Sequence, residues 1–239
     1  MPHTTGIPPK DFSYCCIVCT QVDERNQLHY ILGACTMTDL VKRQLAQSIA
    51  TMTRVLRDES IHAAVVGAAH LTADAMKSGH KLLVCGNGGS AADAQHLVAE
   101  FVARLTVDRP ALRAIALTTD SSILTAIGND YSFDHIFERQ VEALGQSGDV
   151  LLAISTSGNS KNCVKALKLA RTLGLHTISY SGNNGGVMKD LSDINVIIPS
   201  DTTMNIQESH LALEHIFCML VERFIFGEHF GEKTPHLSE

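Results

Sequence analysis

The segment after Met37 carries hydrophobic residues at intervals of three and four, the spacing of one face of an α-helix. Thr38 and Asp39 are polar residues of the kind that start helices. The pattern therefore predicts a helix from Asp39 to about Arg57 that buries one face only. That apolar face consists of Val41, Leu45, Ile49, Met52 and Leu56.

A second helix is predicted from Ser60 to about Ser78. Ser60 is a favoured N-cap residue, and Gly79 readily takes the left-handed conformation that ends many helices. Beyond this helix, short apolar strands alternate with amphipathic helices. The predicted strands cover 81–85, 113–117, 150–155, 176–180 and 195–198, and the predicted helices cover 91–104, 121–127, 134–144 and 159–173.

This alternation predicts an α/β fold with a parallel sheet covered by helices on both faces. Ligands in such folds bind at the carboxyl ends of the strands. A closing helix from about Met204 to Phe226 has an apolar surface wider than one stripe, which predicts burial in a subunit interface. Together with the helix after Met37, it favours an oligomer over a monomer.

Two of the predicted strands end in turns of small, polar residues that lead directly into helices. The first turn is Cys-Gly-Asn-Gly-Gly-Ser at 85–90, and the second is Ser-Thr-Ser-Gly-Asn-Ser at 155–160. Backbone N–H groups and hydroxyls in such a turn, aided by the field of the helix N-terminus, can hold an anion. We expect a ligand with a phosphate group, and the alternative is a tight turn with an ordinary helix cap.

Composition narrows the class of protein. A chain of 239 residues is long enough for one α/β domain with appended helices. The net charge of −6 and the lack of a basic run argue against a nucleic-acid surface. The apolar runs are of strand length, too short to cross a bilayer. With seven cysteines, an odd number, the sequence does not suggest a disulfide framework, and we expect a cytoplasmic protein.

The first 36 residues differ in composition from the rest. We expect them to be disordered or to lie upstream of the natural start, followed by one domain at 37–228 and a tail at 229–239. Four of the cysteines in this segment could bind zinc, but their spacing matches no familiar zinc motif. These four are Cys15, Cys16, Cys19 and Cys35.

Two pairs of polar residues on helices could carry chemistry. His96 and Glu100 lie four residues apart, so they share a face of the helix after Ser90. Gln207 and His215 are separated by a rotation of about 80° on the closing helix and can converge on one pocket. Such residues could hold a metal or move a proton, or they could simply face solvent. We expect the neighbouring His210 and Glu214 at the surface or in a subunit interface.

Taken together, these motifs resemble the phosphoheptose isomerases of the sugar isomerase (SIS) domain family. The resemblance covers about Met37 to Phe226. It implies a flavodoxin-like three-layer sandwich with a five-stranded parallel sheet, and N-terminal helices that pack in an oligomer. It rests on Gly86–Ser90, Asp93, His96, Glu100, Gly128–Asp130, Ser155–Ser160, Ile206–Glu208 and His215.

The resemblance implies an enzyme that converts D-sedoheptulose 7-phosphate to D-glycero-D-manno-heptose 7-phosphate through an enediolate, for nucleotide-heptose and surface polysaccharide synthesis, including lipopolysaccharide. It also implies a homotetramer with shared active sites and no nucleotide cofactor. Glu100 and His215 would be the acid–base pair. The phosphate would contact Ser155, Thr156, Ser157 and Ser160, with help from Ser90. The sugar would contact Asn87, Gly88, Gly89, Glu100, Asn129, Asp130 and Gln207. A zinc ion would be held by His96, Glu100, Gln207 and His215.

Three alternatives stay open. The chain could be a non-catalytic relative that binds a bacterial replication initiator, although those proteins lack counterparts of Glu100 and His215. Asn129 and Asp130 could form only a loop between helices. Met204 stands where several heptose isomerases have a polar residue, which could change how the sugar ring opens.

Overall fold

The computed structural model of the protein describes residues 36–106 and 108–227 in full, and residues 15–22 and 28–34 by their backbone alone. The proposed zinc site at the four early cysteines lies outside the described side chains. The expected tail at 229–239 lies outside the described residues as well. The expectation of disorder before Met37 stays a prediction.

The chain divides into two compact units, residues 1–47 and 48–239. In the first unit, β1 (Cys15–Val22) pairs antiparallel with β2 (Leu28–Ala34). The sequence patterns described above predict neither strand. The second unit holds a parallel sheet and the helices that cover it.

Two long helices precede the parallel sheet, α1 (Met37–Arg57) and α2 (Glu59–Lys77). The predicted N-cap of α2 is wrong. The carboxylate of Asp58 accepts a hydrogen bond of 3.0 Å from the backbone N–H of Ser60, so Asp58 caps the helix and Ser60 lies in its first turn. Gly79 follows the helix with φ of 86°, as expected for a residue that ends a helix.

The remaining elements alternate as the sequence predicts, with shifts of up to four residues at their ends; the helix predicted at 134–144 is a 3₁₀ turn followed by a shorter α-helix. They are β3 (Leu82–Gly86), α3 (Gly89–Val102), β4 (Ala114–Ala116), α4 (Ser121–Asp130), α5 (Glu138–Leu144), β5 (Val150–Ser155), α6 (Lys161–Thr172), β6 (His176–Gly182), β7 (Ile194–Ile198) and α7 (Thr203–Phe226). Short 3₁₀ turns at Phe133–His135 and Val187–Leu191 complete the described part of this unit.

The five strands of the second unit form one parallel sheet in the order β4-β3-β5-β6-β7. This is the flavodoxin-like order. Successive residues of β3 face opposite sides, so that Leu82 and Val84 join the core under α2, α3 and α7, whereas Leu83 and Cys85 join the core under α5 and α6. The predicted three-layer fold is confirmed.

Helix α7 is buried mainly within its own subunit, which corrects the expectation that its wide apolar surface lies in a subunit interface. Ile206, Leu213, Phe217 and Val221 are all less than 7% exposed and belong to the core beneath α2 and α3. The rings of Phe101 on α3 and Phe217 on α7 meet edge to face, with centroids 5.8 Å apart. The two helices are therefore packed directly against each other.

Both predicted phosphate-type turns lie at the carboxyl edge of the sheet. Because β3 and β5 are hydrogen-bonded neighbours in parallel register, from Leu82 opposite Val150 to Gly86 opposite Ile154, their turns emerge side by side. None of the described helices combines the length and the apolar character that a membrane span requires.

Candidate active site

The first turn is shaped by glycines at the junction of β3 and α3. Gly88, the N-cap residue, has φ of 57°, which favours glycine. A Cβ on Gly86 would lie 2.5 Å from the carbonyl oxygen of Ser90, so a larger residue there would collide with the helix backbone. Helix α3 starts two residues before its predicted start. Ser90 therefore lies within the first turn of the helix, 3% exposed.

The second turn gathers hydroxyl groups at the N-terminus of α6. The Oγ atoms of Ser155 and Ser160 lie 2.9 Å apart, and those of Ser155 and Ser157 lie 3.4 Å apart. Gly158, with φ of 65°, packs so closely on the Gly185 carbonyl that any side chain would clash with it. The turn thus holds three serine hydroxyls beside the positive end of a helix, a setting that suits an anion.

A pair of asparagines joins the two turns. The amide nitrogen of Asn87 donates to Oδ1 of Asn162 at 2.9 Å, and the amide nitrogen of Asn162 donates to Oδ1 of Asn87 at 2.8 Å. Asn162 is 3% exposed and also accepts a hydrogen bond from the backbone N–H of Cys163. Sequence patterns give no signal for this pair, because its members are 75 residues apart and nothing in the turn that contains Asn87 identifies Asn162 as its partner.

Three side chains from α3 and α7 converge next to the first turn. The Nε2 atoms of His96 and His215 lie 2.8 Å apart, and Nε2 of His96 lies 3.5 Å from Oε1 of Glu100. Each of the three residues offers a ligand atom within 4.8 Å of the others. Two imidazoles and one carboxylate form a donor set that suits a divalent transition metal such as zinc. Of the described residues, these are the group that could hold a metal ion.

Gln207 lies at the edge of the same region. Its side-chain amide packs against Gly89 so closely that a Cβ on Gly89 would collide with it. The residue is half-buried on the second turn of α7. Its contact with the sugar and its role as a metal ligand both stay predictions.

His210 and Glu214 are buried, which corrects the expectation that they lie at the surface or in an interface. They are 0% and 1% exposed. Burial lowers the pKa of His210 to about 4, although the hydrogen bond from its Nε2 to the Ser181 carbonyl opposes this shift. Burial raises the pKa of Glu214 to about 8, and the nearby Asp93 carboxylate adds to the rise. At neutral pH, both side chains are uncharged.

Asp93 lies between this buried layer and the histidine pair. Burial raises its pKa, while the adjacent His96 acts in the opposite direction. One of its carboxylate oxygens, Oδ2, is buried without a hydrogen-bond partner. The face of α3 that carries His96 therefore adjoins the Asp93 carboxylate, whose charge interacts with His96.

Asn129 and Asp130 lie on the last turn of α4, so the alternative that they form a loop between helices is wrong. Both are exposed, and the amide of Asn129 donates to Oδ1 of Asp130 at 2.8 Å. Their contact with the sugar stays a prediction. Met204 is 53% exposed at the start of α7.

Arg109 is a further residue that sequence reasoning missed. It follows α3, its side chain is 1% exposed, and its guanidinium is paired with Glu222 of α7. The two residues are 113 positions apart, so periodicity and local motifs cannot reveal the contact. The Arg109 side chain is therefore bonded both to α3 and to α7, the two helices that bear the metal-type donors.

Comparison with known proteins identifies the family of this chain. Residues 45–182 match the sequence profile of the SIS domain family. The phosphoheptose isomerase of Clostridium acetobutylicum is 47% identical over 196 residues, covering 82% of this chain and all of that protein. The phosphoheptose isomerase of Bradyrhizobium strain BTAi1 is 54% identical over 184 residues, covering 77% of this chain and 93% of the relative.

Solved structures give the same result. Phosphoheptose isomerase GmhA from Neisseria gonorrhoeae superposes with a TM-score of 0.74 at 42% identity, over 78% of this chain and 99% of that one. A phosphoheptose isomerase from Francisella tularensis superposes with a TM-score of 0.76 at 36% identity, over 79% of this chain and 99% of that one. This chain belongs to the SIS domain family and, within it, to the phosphoheptose isomerases.

Proposed function

We propose that this protein interconverts D-sedoheptulose 7-phosphate and D-glycero-D-manno-heptose 7-phosphate, a ketose–aldose isomerisation. The observation that carries the proposal is the convergence of His96, Glu100 and His215 within 4.8 Å beside a glycine-rich turn. The neighbouring hydroxyl turn at 155–160 supplies the phosphate end of the site. The product would enter nucleotide-heptose synthesis for lipopolysaccharide and other surface polysaccharides.

The reaction needs a group that removes a proton from C1 or C2 and a group that returns one to the neighbouring carbon. We assign these roles to Glu100 and His215, which approach the site from α3 and α7. Glu100 moves the carbon-bound proton, and His215 exchanges a proton with the substrate from the opposite side. The side chain of Glu100 is 17% exposed, so its carboxylate is largely shielded from water while remaining open to the site.

The two turns fix the substrate at its ends. The hydroxyls of Ser155, Ser157 and Ser160, with Thr156, bind the distal phosphate at the N-terminus of α6. Asn87, Gly88, Gly89 and Gln207 line the sugar from the other turn, and Ser90, Asn129 and Asp130 are further contacts. Holding both ends of the sugar phosphate places its reacting carbons against the acid–base pair.

The donor set fits a zinc ion held by His96, Glu100 and His215, with Gln207 as the fourth ligand. Bound zinc would supply Lewis-acid stabilisation of the negative charge that develops on the two substrate oxygens. A carboxylate cannot be a tight ligand and a free base at once. Glu100 therefore needs a loosely held ion or must move away from it during turnover.

We also propose that the protein is a homotetramer with active sites shared between subunits. The support within this chain is the apolar face of α1, where Ile49 is 66% and Leu56 is 73% exposed. Burying such residues against another copy would be favourable by about 1.5–3 kcal/mol for each fully buried side chain.

The proposed function is tested by incubating the purified protein with sedoheptulose 7-phosphate in D₂O and following the sugars by NMR. Aldoheptose phosphate that carries deuterium next to its carbonyl carbon is the expected product, because proton transfer through an enediolate exchanges with solvent. Binding of the sugar phosphate without turnover, in protein loaded with zinc, would instead favour the non-catalytic binding protein.

A further inference from the structure

We propose that Arg109 is a positioning residue for the isomerase reaction, clamping the end of α3 to α7 so that Glu100 and His215 keep their mutual placement. This inference rests on the proposed function. Arg109 does not touch the reacting groups themselves. Its guanidinium instead holds the backbone from which Glu100 projects and the helix from which His215 projects.

The first half of the clamp is the C-terminal end of α3. The last carbonyl groups of a helix have no partner within it. Here Nη2 of Arg109 donates to the carbonyl of Glu100 at 2.6 Å, and Nη1 donates to the carbonyl of Phe101 at 2.7 Å. The positive charge also complements the negative end of the helix dipole. The backbone of the proposed proton-transfer residue is thus bonded directly to Arg109.

The second half of the clamp is Glu222 on α7. Nε and Nη2 of Arg109 lie 2.8 and 2.7 Å from Oε1 of Glu222, and both side chains are at most 3% exposed. Glu222 follows His215 by seven residues, about two helical turns, so both project from nearly the same face of α7. Helices α3 and α7 are therefore joined at His96–His215 and again, about 10 Å along α7, at Arg109–Glu222.

A buried ion pair of this kind contributes little net stability compared with apolar packing, because both charges lose their hydration. The planar guanidinium of Arg109 does fix the orientation of its partners, since the donors of one rigid group bind two carbonyls and one carboxylate at once. A shift of about 1 Å between reacting groups can cost about a hundredfold in rate. The contacts of Arg109 are therefore suited to fixing the distance and the angle between α3 and α7.

The test compares Arg109→Lys and Glu222→Gln with a matched control, Asp149→Asn. Asp149, whose side chain is 1% exposed, pairs with Lys81, whose side chain is 19% exposed, at the amino edge of the sheet and away from the site. Lysine keeps the charge of Arg109 but cannot bond two carbonyls and a carboxylate in one plane. All variants are assayed well below their own melting temperatures, with circular dichroism to establish that each is folded.

We expect both clamp variants to lose about tenfold to a hundredfold in kcat with KM changed less than about threefold. The control should keep the wild-type kcat even if its melting temperature falls as much as theirs. Wild-type kcat in folded Arg109→Lys and Glu222→Gln, or an equal loss in Asp149→Asn, would overturn the proposal.

A second readout does not depend on turnover. Cobalt(II) replaces zinc in many sites and reports ligand geometry through its visible spectrum, so each protein is titrated with cobalt alone. The clamp predicts an altered spectrum and weaker binding in Arg109→Lys and Glu222→Gln, but not in Asp149→Asn. Identical spectra in all four proteins would contradict the clamp. Failure of the wild type to turn over heptose phosphate would count against the proposed function alone.

Discussion

The side-chain amides of Asn87 and Asn162 are bonded to each other in both directions, at 2.9 and 2.8 Å. One amide belongs to the turn after β3 and the other to the first turn of α6. Because each side chain is both donor and acceptor, the pair fixes the separation of the two turns as well as their orientation. The distance between the turn proposed to bind the sugar and the turn proposed to bind the phosphate therefore depends on this contact.

The first prediction concerns Asn162, which is buried and has no assigned contact with substrate. Asn162→Ala should lower the free energy of unfolding by about 1–3 kcal/mol, since it leaves the Asn87 amide without its partner. KM for the heptose phosphate should rise more than kcat falls, because the two binding turns lose their fixed spacing. Urea unfolding and steady-state kinetics measure these effects. A double-mutant cycle with Asn87→Ala should give a coupling of about 1 kcal/mol, and simple additivity would contradict the pairing.

The second prediction concerns proton transfer. Glu100→Gln should reduce kcat by about 10²–10⁴-fold with little change in the melting temperature, because the amide cannot accept a carbon-bound proton. The matched control is Glu142→Gln on α5, where an exposed carboxylate pairs with Arg139. Activity of the control should equal that of the wild type. A Glu100→Gln variant that retains more than about a tenth of the wild-type kcat would remove this residue from its assigned role.

The third prediction concerns metal binding. His96→Ala and His215→Ala should each lose tightly bound zinc, as measured by elemental analysis after dialysis against trace metal. Each variant removes one of the two imidazoles whose Nε2 atoms face each other at 2.8 Å. His70→Ala serves as the control, since His70 is an exposed residue of α2 paired with Asp74. Equal zinc content in all four proteins would place the metal elsewhere.

The fourth prediction concerns stability at acid pH. His210 is buried with a pKa of about 4, below the ordinary value of 6.5. Between these two pH values the unfolded chain binds a proton that the folded chain does not, so the free energy of unfolding falls as the pH falls from 6.5 to 4. The contribution of this residue is about 3 kcal/mol in total.

The variant His210→Gln provides the comparison, because glutamine can still donate to the Ser181 carbonyl but does not titrate. Other groups titrate alike in both proteins. Urea unfolding at several pH values should show the wild type losing about 3 kcal/mol relative to the variant between pH 7 and pH 4. Parallel curves would mean that the pKa of His210 is the same in the folded and the unfolded chain.

The fifth prediction concerns assembly. Leu56→Glu should convert the proposed tetramer to smaller species in light scattering, because a charge would replace an apolar side chain at the contact between copies. The folded single chain should tolerate the change, since Leu56 is 73% exposed there. Glu59→Lys, at a side chain 93% exposed nearby, is the control and should leave the molar mass unchanged. A wild type that is monomeric and fully active would refute the tetramer.

The sequence predicted the strands of the parallel sheet, the sheet itself and the position of both turns, because those features follow from local alternation of apolar and polar residues; it predicted neither β1 nor β2. Errors arose where one polar side chain outcompetes another. Asp58 occupies the N-cap position that was expected for Ser60, because its carboxylate accepts the hydrogen bond from the backbone N–H of Ser60 itself. Likewise α4 continued through Asn129 and Asp130, residues whose type favours turns but does not forbid a helix.

Long-range pairing was the part that the sequence could not reveal. Nothing about Glu214 marks it as buried, since its burial depends on the packing of α7 against α3 and β6. Arg109 and Glu222 look like ordinary surface charges in the sequence and become a buried pair only when two distant helices meet. The family resemblance supplied the proposed site residues, whereas the contacts between distant elements needed coordinates.

His96 and His215 stand 119 residues apart and meet only because α7 returns across the sheet to α3. Synthesis runs from the N-terminus, so both turns, the sheet and α3 leave the ribosome before α7 does. A nascent chain can therefore form the sheet and α3 while lacking half of the proposed metal donors and one of the two proposed proton-transfer groups. The proposed catalytic centre is finished last, and truncation of the final helix should yield a chain without activity.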